Sequence, residues 1–330
     1  MRLPEKPAIL EVRHALRAWI SEYAPGPELA VALSGGADSI AMTAAAAAEI
    51  RTVHALVVDH RLQDGSDVVA AQACEHALSL GCATATVLNV DVDGGGGMEA
   101  AARAARYEAL DDARRGVPVL VGHTLDDQAE TVLLGLARGS GGRSIWGMSP
   151  YEQPWGRPLL SVRRSVTRQA CTELGINPHD DPHNSSPDFT RVRLRTEVLP
   201  LLEDVLGGGV AGALSRTANQ LREDGSCLDS VASRVGARVV EESAVSVAAL
   251  AGEHPSIRRR VLRTWLQEHG AKGLTDKQLR AVDDLVGRWR GQGGVAVGGG
   301  TPNARLVVRR ERGRLRAGLE GTGPDDERRV

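Results

Sequence analysis

Apolar and polar positions in residues 28–136 alternate between two patterns. Short apolar runs predict strands near residues 29–33, 53–59, 84–90 and 117–121. Between these runs, apolar positions recur at helical spacing and predict helices near residues 38–50, 66–80, 98–114 and 126–137. Because strands that alternate with helices form βαβ units, we predict an α/β fold, a parallel sheet with helices on both faces.

After this region the pattern becomes less regular. A stretch rich in Gly and Pro leads to helical pieces, and a long helical stretch from about Val210 to Glu242 follows the glycines 207–209. One further strand is predicted at Arg305–Arg309. We therefore predict two domains, residues 1–209 with the sheet and residues 210–330 with a smaller, mainly helical fold. A disordered tail is expected from about residue 321.

Composition and cysteine spacing narrow the class of protein. The formal net charge is −2, and the four cysteines form no CxxC pair and no metal-ligand spacing. The first twenty residues interrupt their apolar positions with charges, so they predict neither a signal peptide nor a membrane span. No other segment reaches the apolar length that crosses a bilayer. We expect a cytoplasmic protein with reduced thiols and no membrane partner.

The first chemical motif is Ser-Gly-Gly-Ala-Asp-Ser at residues 34–39, between the first strand and the first helix of the sheet region. Glycine lets backbone N–H groups approach an anion, and the helix N-terminus adds partial positive charge. The P-loop lysine and its spacing are absent, as is G-x-G-x-x-G. Asp38 would repel a phosphate unless a divalent cation lies between them, so the motif predicts Mg²⁺. A capped turn without a ligand is the alternative.

This motif resembles the pyrophosphate loop of the N-type ATP pyrophosphatases, also called PP-loop proteins. Members of that family cleave ATP between the α and β phosphates, adenylate a substrate oxygen, and let a nitrogen or sulfur nucleophile displace AMP. The resemblance implies an adenine nucleotide alpha-hydrolase-like fold, ATP as substrate and Mg²⁺ held by Asp38. It places the pyrophosphate on Ser34, Gly35, Gly36, Ala37, Asp38 and Ser39.

A second motif, "GHTLDDQAETVLL", begins at the end of the last predicted strand. Asp127 and Glu130 are three residues apart and therefore project from one helical face. Thr124 and Asp127 also suit the capped start of a helix, but capping does not explain His123 together with Glu130. The pattern resembles the HxxxDxxET signature of the tRNA(Ile)-lysidine synthetases.

Further segments are similar to the same family and occur in the family's order. The matching residues are Asp59, His60, Leu62, Glu99, Arg103, Arg106, Tyr107, Arg157, Pro158, Asp181, Asn184, Arg191, Arg195 and Pro200. Gln63, His183 and Val192 stand where the family usually has arginine, serine and asparagine. Each segment alone also suits a solvated face, a core position or a turn. Their combined order is what makes the resemblance specific.

The resemblance implies a two-step reaction on RNA. ATP would adenylate O2 of the wobble cytidine of the CAU-anticodon isoleucine tRNA, and the ε-amine of free L-lysine would attack C2, giving lysidine, AMP and pyrophosphate. It implies Asp127 and Glu130 at the lysine, with Arg103 and His123 near the adenylated base. The implied tRNA contacts are Arg106, Arg157, Asn184, Arg191 and Arg195. A homodimer stays open.

Charge is unevenly distributed toward the C-terminus. Between Ile257 and Arg316 the chain has fifteen basic and five acidic residues. Such a surplus is typical of a surface that follows an RNA backbone, although a solvated arginine-rich face is the alternative. We predict that residues 210–330 position tRNA without taking part in the chemistry. The resemblance also predicts a short form of the family, without the second terminal domain of some members.

Two other functions remain open from the sequence. A different N-type ATP pyrophosphatase would be a thiolase or an amidotransferase, but the cysteine spacing suits neither a reactive pair nor a cluster, and a glutaminase domain has no room. A nucleotide sensor without turnover belongs to another class, against which Asp127 and Glu130 argue. Release of AMP and pyrophosphate separates an enzyme from a sensor.

Overall fold

The computed structural model describes residues 3–61, 65–91, 98–139, 141–180, 189–301 and 303–321, with the backbone alone at residues 98–100. The chain divides into two compact units, residues 1–135 with 146–218 and residues 136–145 with 219–330. The division falls inside one continuous helix, between Ala218 and Asn219. The predicted boundary after Gly209 lies at the start of that same helix.

The first unit is built on a six-stranded sheet in the order β3-β2-β1-β4-β6-β5. All neighbouring strands are parallel except β5 and β6, which form an antiparallel hairpin. The strands are β1 Glu28–Ala32, β2 Thr52–Asp59, β3 Thr84–Asn89, β4 Val119–Val121, β5 Tyr151–Glu152 and β6 Trp155–Gly156. The four predicted strands are therefore confirmed, whereas the β5–β6 hairpin was not predicted.

Eight helices of the described residues belong to the sheet region. They are α1 Pro7–Tyr23, α2 Ala37–Glu49, α3 Ser66–Leu80, α4 Met98–Ala113, α5 Leu125–Arg138, α6 Arg164–Leu174, α7 Thr190–Arg193 and α8 Leu199–Val205. A π-helical turn, Leu194–Val198, joins α7 to α8. The predicted helices α2 to α5 are confirmed, whereas α1 was not predicted, since charges interrupt its apolar positions.

Alternate residues of β1 pack into two different cores. Leu29 and Val31 lie in a cluster with residues of α1, α2, α3 and α6. Ala30 lies in a second cluster with Leu110 of α4. Successive strand residues point to opposite faces of a sheet, so helices cover both faces, as predicted.

The second unit combines helices with an antiparallel sheet in the order β7-β8-β11-β10-β9. Its elements are the second part of α9 Val210–Val239, then β7 Val240–Glu241, β8 Ala244–Ser246, α10 Val247–Ala251, α11 Pro255–Glu268, α12 Asp276–Gly287, β9 Val295–Thr301, β10 Ala304–Glu311 and β11 Arg314–Gly321. The predicted strand lies within β10. Four other strands were missed. β7 and β8 are very short, β9 contains three consecutive glycines, and β11 contains two glycines and three charged residues, all of which weaken the strand signal.

No single helix of the described residues is long and apolar enough to cross a membrane. One bent pair, Thr190–Val205 with Val210–Val239, satisfies the same test by length and composition alone. Residues 322–330, where a disordered tail is predicted, lie outside the described residues.

Candidate active site

The loop after β1 has the geometry of an anion site. Gly35 has a φ of 80°, a left-handed conformation that favours glycine. Ser39 Oγ donates to the carbonyl oxygen of Gly36 at 2.8 Å, and the backbone N–H of Ser34 donates to Ser39 Oγ at 3.2 Å. Helix α2 makes its first hydrogen bond from Ile40 N to Gly36 O. The N–H groups of residues 37–39 therefore have no acceptor inside the helix and face the helix N-terminus.

The loop after β4 approaches the start of α2 closely at Gly122. A Cβ atom on Gly122 would lie 3.1 Å from the carbonyl carbon of Asp38 and 3.1 Å from the nitrogen of Ser39. Only glycine leaves this approach unstrained. Since β1 and β4 are neighbours, the two predicted motifs meet at the carboxyl ends of adjacent strands, where ligands bind in open α/β sheets. In the sequence, the only indication that Gly122 belongs to the site was its position directly before His123.

Arg164, at the start of α6, brings the three predicted carboxylates together. Its Nε donates to Asp38 Oδ2 at 3.2 Å, and its Nη2 donates to Asp127 Oδ1 at 2.6 Å. Its Nη1 lies 3.9 Å from Glu130 Oε1. Sequence reasoning missed this residue. The available signal was a pair of arginines at the N-cap and first position of a helix, where cations are unfavourable beside the helix dipole unless carboxylates compensate.

Asp38 and Asp127 each have a second anchor. Thr167 Oγ1 donates to Asp38 Oδ1, and both N and Oγ1 of Thr124 donate to Asp127 Oδ2 at 2.7 Å. Burial raises the pKa of Asp38 against the opposing charge of Arg164. Burial also disfavours the charged form of Asp127, but Arg164, His123 and Thr124 outweigh it and hold the pKa of Asp127 below its usual value.

Glu130 is fully buried, at 0% exposure. Arg195 of the π-helical turn donates to it twice, from Nε to Oε1 at 2.8 Å and from Nη2 to Oε2 at 3.3 Å. Arg191 Nη1 lies 4.0 Å from Oε2. Burial, together with the negative charge of Asp127, nevertheless raises the pKa of Glu130. Arg191 and Arg195, assigned to tRNA from the sequence, thus both lie at a carboxylate of the site, and their contact with RNA stays a prediction.

Two histidines lie where strands end, and the pKa of each is lowered. Burial and the charges of Arg157, Arg103 and Arg106 lower the pKa of His123 to about 4, against the pull of Asp127. Burial and Arg106 likewise lower the pKa of His60, which follows β2. The Nδ1 atoms of both rings are buried without a hydrogen-bond partner in the described part of the chain. A neutral imidazole with an unused nitrogen is suited to a hydrogen bond with a ligand.

Arg103 and Arg106 stack on Tyr107 in α4. Their guanidinium carbons lie 4.9 Å and 5.7 Å from the Tyr107 ring centroid, and Arg103 Nη2 lies 3.4 Å from the tyrosine hydroxyl. Tyr107 in turn makes an edge contact with Trp155, at 4.6 Å between centroids. These contacts hold both arginines on one helical face, which is the arrangement expected of side chains that meet a nucleotide.

The remaining residues predicted from the sequence differ in burial and in contacts. Arg157 is buried and donates from Nη1 to the carbonyl oxygen of Ser149 at 3.0 Å, while its Nε has no partner among the described residues. Val192, one of the three departures from the family pattern, is buried in α7. Asn184, His183 and Gln63 lie outside the described residues.

Comparison with known proteins is consistent with this site. Residues 9–202 match the family model described as PP-loop domain, and residues 246–316 match the one described as TilS substrate binding domain. The tRNA(Ile)-lysidine synthase of Rhodococcus opacus (strain B4) is 71% identical over 330 residues, 100% of both chains. That of Mycobacterium tuberculosis (strain ATCC 25618 / H37Rv) is 59% identical over 289 residues, 86% of this chain and 89% of that protein.

The chain is also similar to a solved structure, that of the U34-tRNA thiolase NcsA from Methanococcus maripaludis. The TM-score is 0.52, with 16% sequence identity, and the match covers 66% of this chain and 80% of that chain. At this identity the likeness concerns the fold alone.

Proposed function

Because the chain belongs to the tRNA(Ile)-lysidine synthases of the PP-loop family, we propose that it converts the wobble cytidine of the CAU-anticodon isoleucine tRNA to lysidine. ATP adenylates O2 of the base, the ε-amine of L-lysine attacks C2, and AMP and pyrophosphate are released. One observation supports the proposal most directly. The anion-binding loop at residues 34–39 lies beside two buried carboxylates, Asp127, whose pKa is lowered, and Glu130, whose pKa is raised.

The loop at residues 34–39 receives the β and γ phosphates of ATP. Its support is the left-handed Gly35, the N–H groups at the start of α2, and the hydroxyls of Ser34 and Ser39, which lie 3.2 Å apart. In the structure these hydroxyls bond to the loop itself, so they can rotate toward phosphate oxygens without a change of backbone. Fixed donors of this kind stabilise the charge that develops on the leaving pyrophosphate.

Asp38 is the residue that would hold Mg²⁺. The described residues contain no group of three or more His, Cys, Asp or Glu arranged for a metal. That suits Mg²⁺, which proteins usually bind through one or two carboxylates together with substrate phosphates. The Asp38 side chain is 23% exposed and lies on the first turn of the helix that faces the phosphates. When bound, Mg²⁺ neutralises phosphate charge and so favours departure of pyrophosphate.

Asp127 and Glu130 bind lysine and remove its proton. The lowered pKa of Asp127 keeps it ionised, so it attracts the ε-ammonium group. An ammonium is not a nucleophile and must lose a proton before attack. The raised pKa of Glu130 makes it the better proton acceptor of the two. Carboxylates whose environments separate their pKa values in this way typically divide such roles.

His123 and Arg103 contact the adenylated base. His123 is neutral, with an unused Nδ1, and can donate or accept a hydrogen bond without adding charge. Arg103 is held on Tyr107 and offers positive charge to the phosphate of the departing AMP. L-Lysine as the amine donor is part of the proposal, whereas a homodimer and a cytoplasmic location stay predictions from the sequence.

A sulfur donor in place of lysine is the alternative that the fold admits. Burial raises the pKa of Cys82 and Cys171 to about 11 and also raises that of Cys74. Sulfur transfer through cysteine requires a thiolate, which such thiols do not supply at neutral pH. Cys74, Cys82 and Cys171 therefore favour the amine reaction, and the fourth cysteine, Cys227, is exposed in α9.

Incubation with ATP, labelled lysine and CAU-anticodon isoleucine tRNA tests the proposal. We expect label in the tRNA and one AMP and one pyrophosphate released for each lysine incorporated. Omission of tRNA should stop pyrophosphate release, which distinguishes base adenylation from simple ATP hydrolysis. Incorporation of sulfur but not lysine would identify a thiolase, and nucleotide binding without release of either product would identify a sensor.

A further inference from the structure

The second unit contains a cluster in which two arginines share one carboxylate. Arg143 Nη2 lies 2.7 Å from Asp229 Oδ2, and Arg260 Nη1 lies 3.4 Å from Asp229 Oδ1. The three side chains come from separate elements, the 3₁₀ turn Gly142–Ile145, α9 and α11. Among these three side chains, two guanidinium groups share a single carboxylate.

Arg263 adds a third guanidinium to this cluster. It follows Arg260 by three residues in α11 and therefore lies on the same helical face. No hydrogen bond or salt bridge joins it to another described residue, and Arg260 Nε is also buried without a hydrogen-bond partner there. Burial and the charges of Arg143 and Arg260 lower the pKa of Arg263, against the pull of Asp276. In this cluster three guanidinium groups therefore share one carboxylate, whose Oδ1 atom is also buried without a hydrogen-bond partner among the described residues.

We propose that Arg143, Arg260 and Arg263 form a subsite for one backbone phosphate of the substrate RNA. A phosphate offers several acceptor oxygens and full negative charge, which the unused donors of Arg260 and Arg263 require. The cluster is accessible, since the Arg143 side chain is 49% exposed and that of Arg260 is 23% exposed. Asp229 holds two of the guanidinium groups in place before RNA arrives.

Other arginines of this unit differ because each has its own carboxylate. Arg280 pairs with Asp276 at 2.5 Å on the surface of α12, and Arg309 pairs with Glu320 between β10 and β11. Each pair is electrically neutral. The excess of basic residues in the C-terminal region therefore does not predict which arginines contact RNA. The small number of carboxylates at the Asp229 cluster does predict it.

The test compares R263Q with R280Q in the full chain. Affinity for CAU-anticodon isoleucine tRNA is measured at several salt concentrations, because each phosphate contact contributes about one unit to the slope of log affinity against log salt. We expect R263Q to weaken binding and to lower the slope by about one unit. R280Q should leave the slope unchanged, and R263K, which keeps the charge, should restore most of it. Thermal unfolding of each variant verifies that the fold is intact.

The inference rests on the proposed function, but the two fail in different ways. If R263Q binds tRNA with unchanged affinity and slope while lysidine still forms, the subsite is wrong and the function stands. If the wild-type chain neither binds this tRNA nor incorporates lysine, the function itself is wrong. Loss of inorganic phosphate binding in R263Q, with tRNA binding unchanged, would also overturn the subsite, because it would then serve a free anion.

Discussion

Asp127 and Glu130 lie one turn apart on the same face of α5, yet their surroundings shift the two pKa values in opposite directions. Arg164 contacts Asp127 at 2.6 Å but stays 3.9 Å from Glu130, and the backbone N–H of Thr124 serves only Asp127. Helical spacing alone would make the two carboxylates equivalent. Their different partners lower the pKa of Asp127 and leave that of Glu130 raised.

Substitution of Glu130 by Gln should therefore reduce turnover more than tRNA affinity. The amide keeps the size of the side chain but accepts no proton from lysine, so kcat for lysine transfer should fall by about 100-fold or more, the usual contribution of a general base. Lysine incorporation at saturating tRNA and the tRNA dissociation constant are the two measurements. E197Q, at an exposed surface pair with Arg193, is the control. Unchanged turnover with weaker tRNA binding would make Glu130 a structural residue.

Asp38→Ala should abolish pyrophosphate release and leave the fold intact. The variant removes the proposed metal ligand, whereas the turn itself depends on the left-handed Gly35. Pyrophosphate release is followed with ATP and tRNA but without lysine, so that only adenylation is measured. D111A, which removes an exposed aspartate of α4, should behave as wild type. A wild-type rate in D38A would exclude the metal role.

Arg164→Met should destabilise the protein as well as inactivate it. Asp38, Asp127 and Glu130 would be left close together without their shared cation, and removal of one partner from a buried ion pair costs about 3–5 kcal/mol. Urea unfolding and lysine incorporation measure the two effects. R163M is a matched control, because the neighbouring Arg163 is 42% exposed and lies 3.5 Å or more from its carboxylates. Equal stability of R164M and R163M would contradict the central position of Arg164.

Gly122→Ala should weaken ATP binding, although Gly122 itself is not among the residues assigned to ATP. The added Cβ lies 3.1 Å from backbone atoms of Asp38 and Ser39, so the start of α2 must shift by a few tenths of an ångström. Calorimetric titration with ATP should show a higher Kd. In G252A the new Cβ would meet nothing within 4 Å, and its ATP affinity should equal that of wild type.

Because the pKa of His123 is lowered, we expect the folded protein to lose stability in mild acid. Its pKa is about 4 in the folded chain, below the ordinary value of 6.5. Between these values the unfolded chain binds more protons than the folded chain, so the free energy of unfolding decreases as the pH falls. The loss at about pH 5, relative to pH 7.5, should be about 1–2 kcal/mol. Urea unfolding of wild type and H123N at both values measures it, and an equal loss in H123N would assign the effect to other groups.

Much of the fold follows from local pattern, because strands and helices of the sheet region leave clear periods in the sequence. The residues missed in the site share a different property. Arg164 acts through the carboxylates of Asp38, Asp127 and Glu130, and Gly122 acts through backbone atoms of Asp38 and Ser39. Each set of contacts joins residues that are far apart in the sequence. The contact between Arg195 and Glu130 is equally non-local. Contacts of this kind leave no pattern in the neighbouring sequence, so they could not be predicted from it.

The strand order has a consequence for how the protein gains its activity during synthesis. β1 lies beside β4, and the intervening chain forms β2 and β3 on the other side of β1. The carboxylates of the site come from residues 38, 127 and 130, and their cations come from residues 164 and 195. A nascent chain that has already folded its first βαβ unit therefore contains the loop at residues 34–39 but not the cluster of Asp127, Glu130, Arg164 and Arg195. Contacts of such long sequence separation form late in folding, so a truncated or stalled chain should bind nucleotide poorly and modify no tRNA.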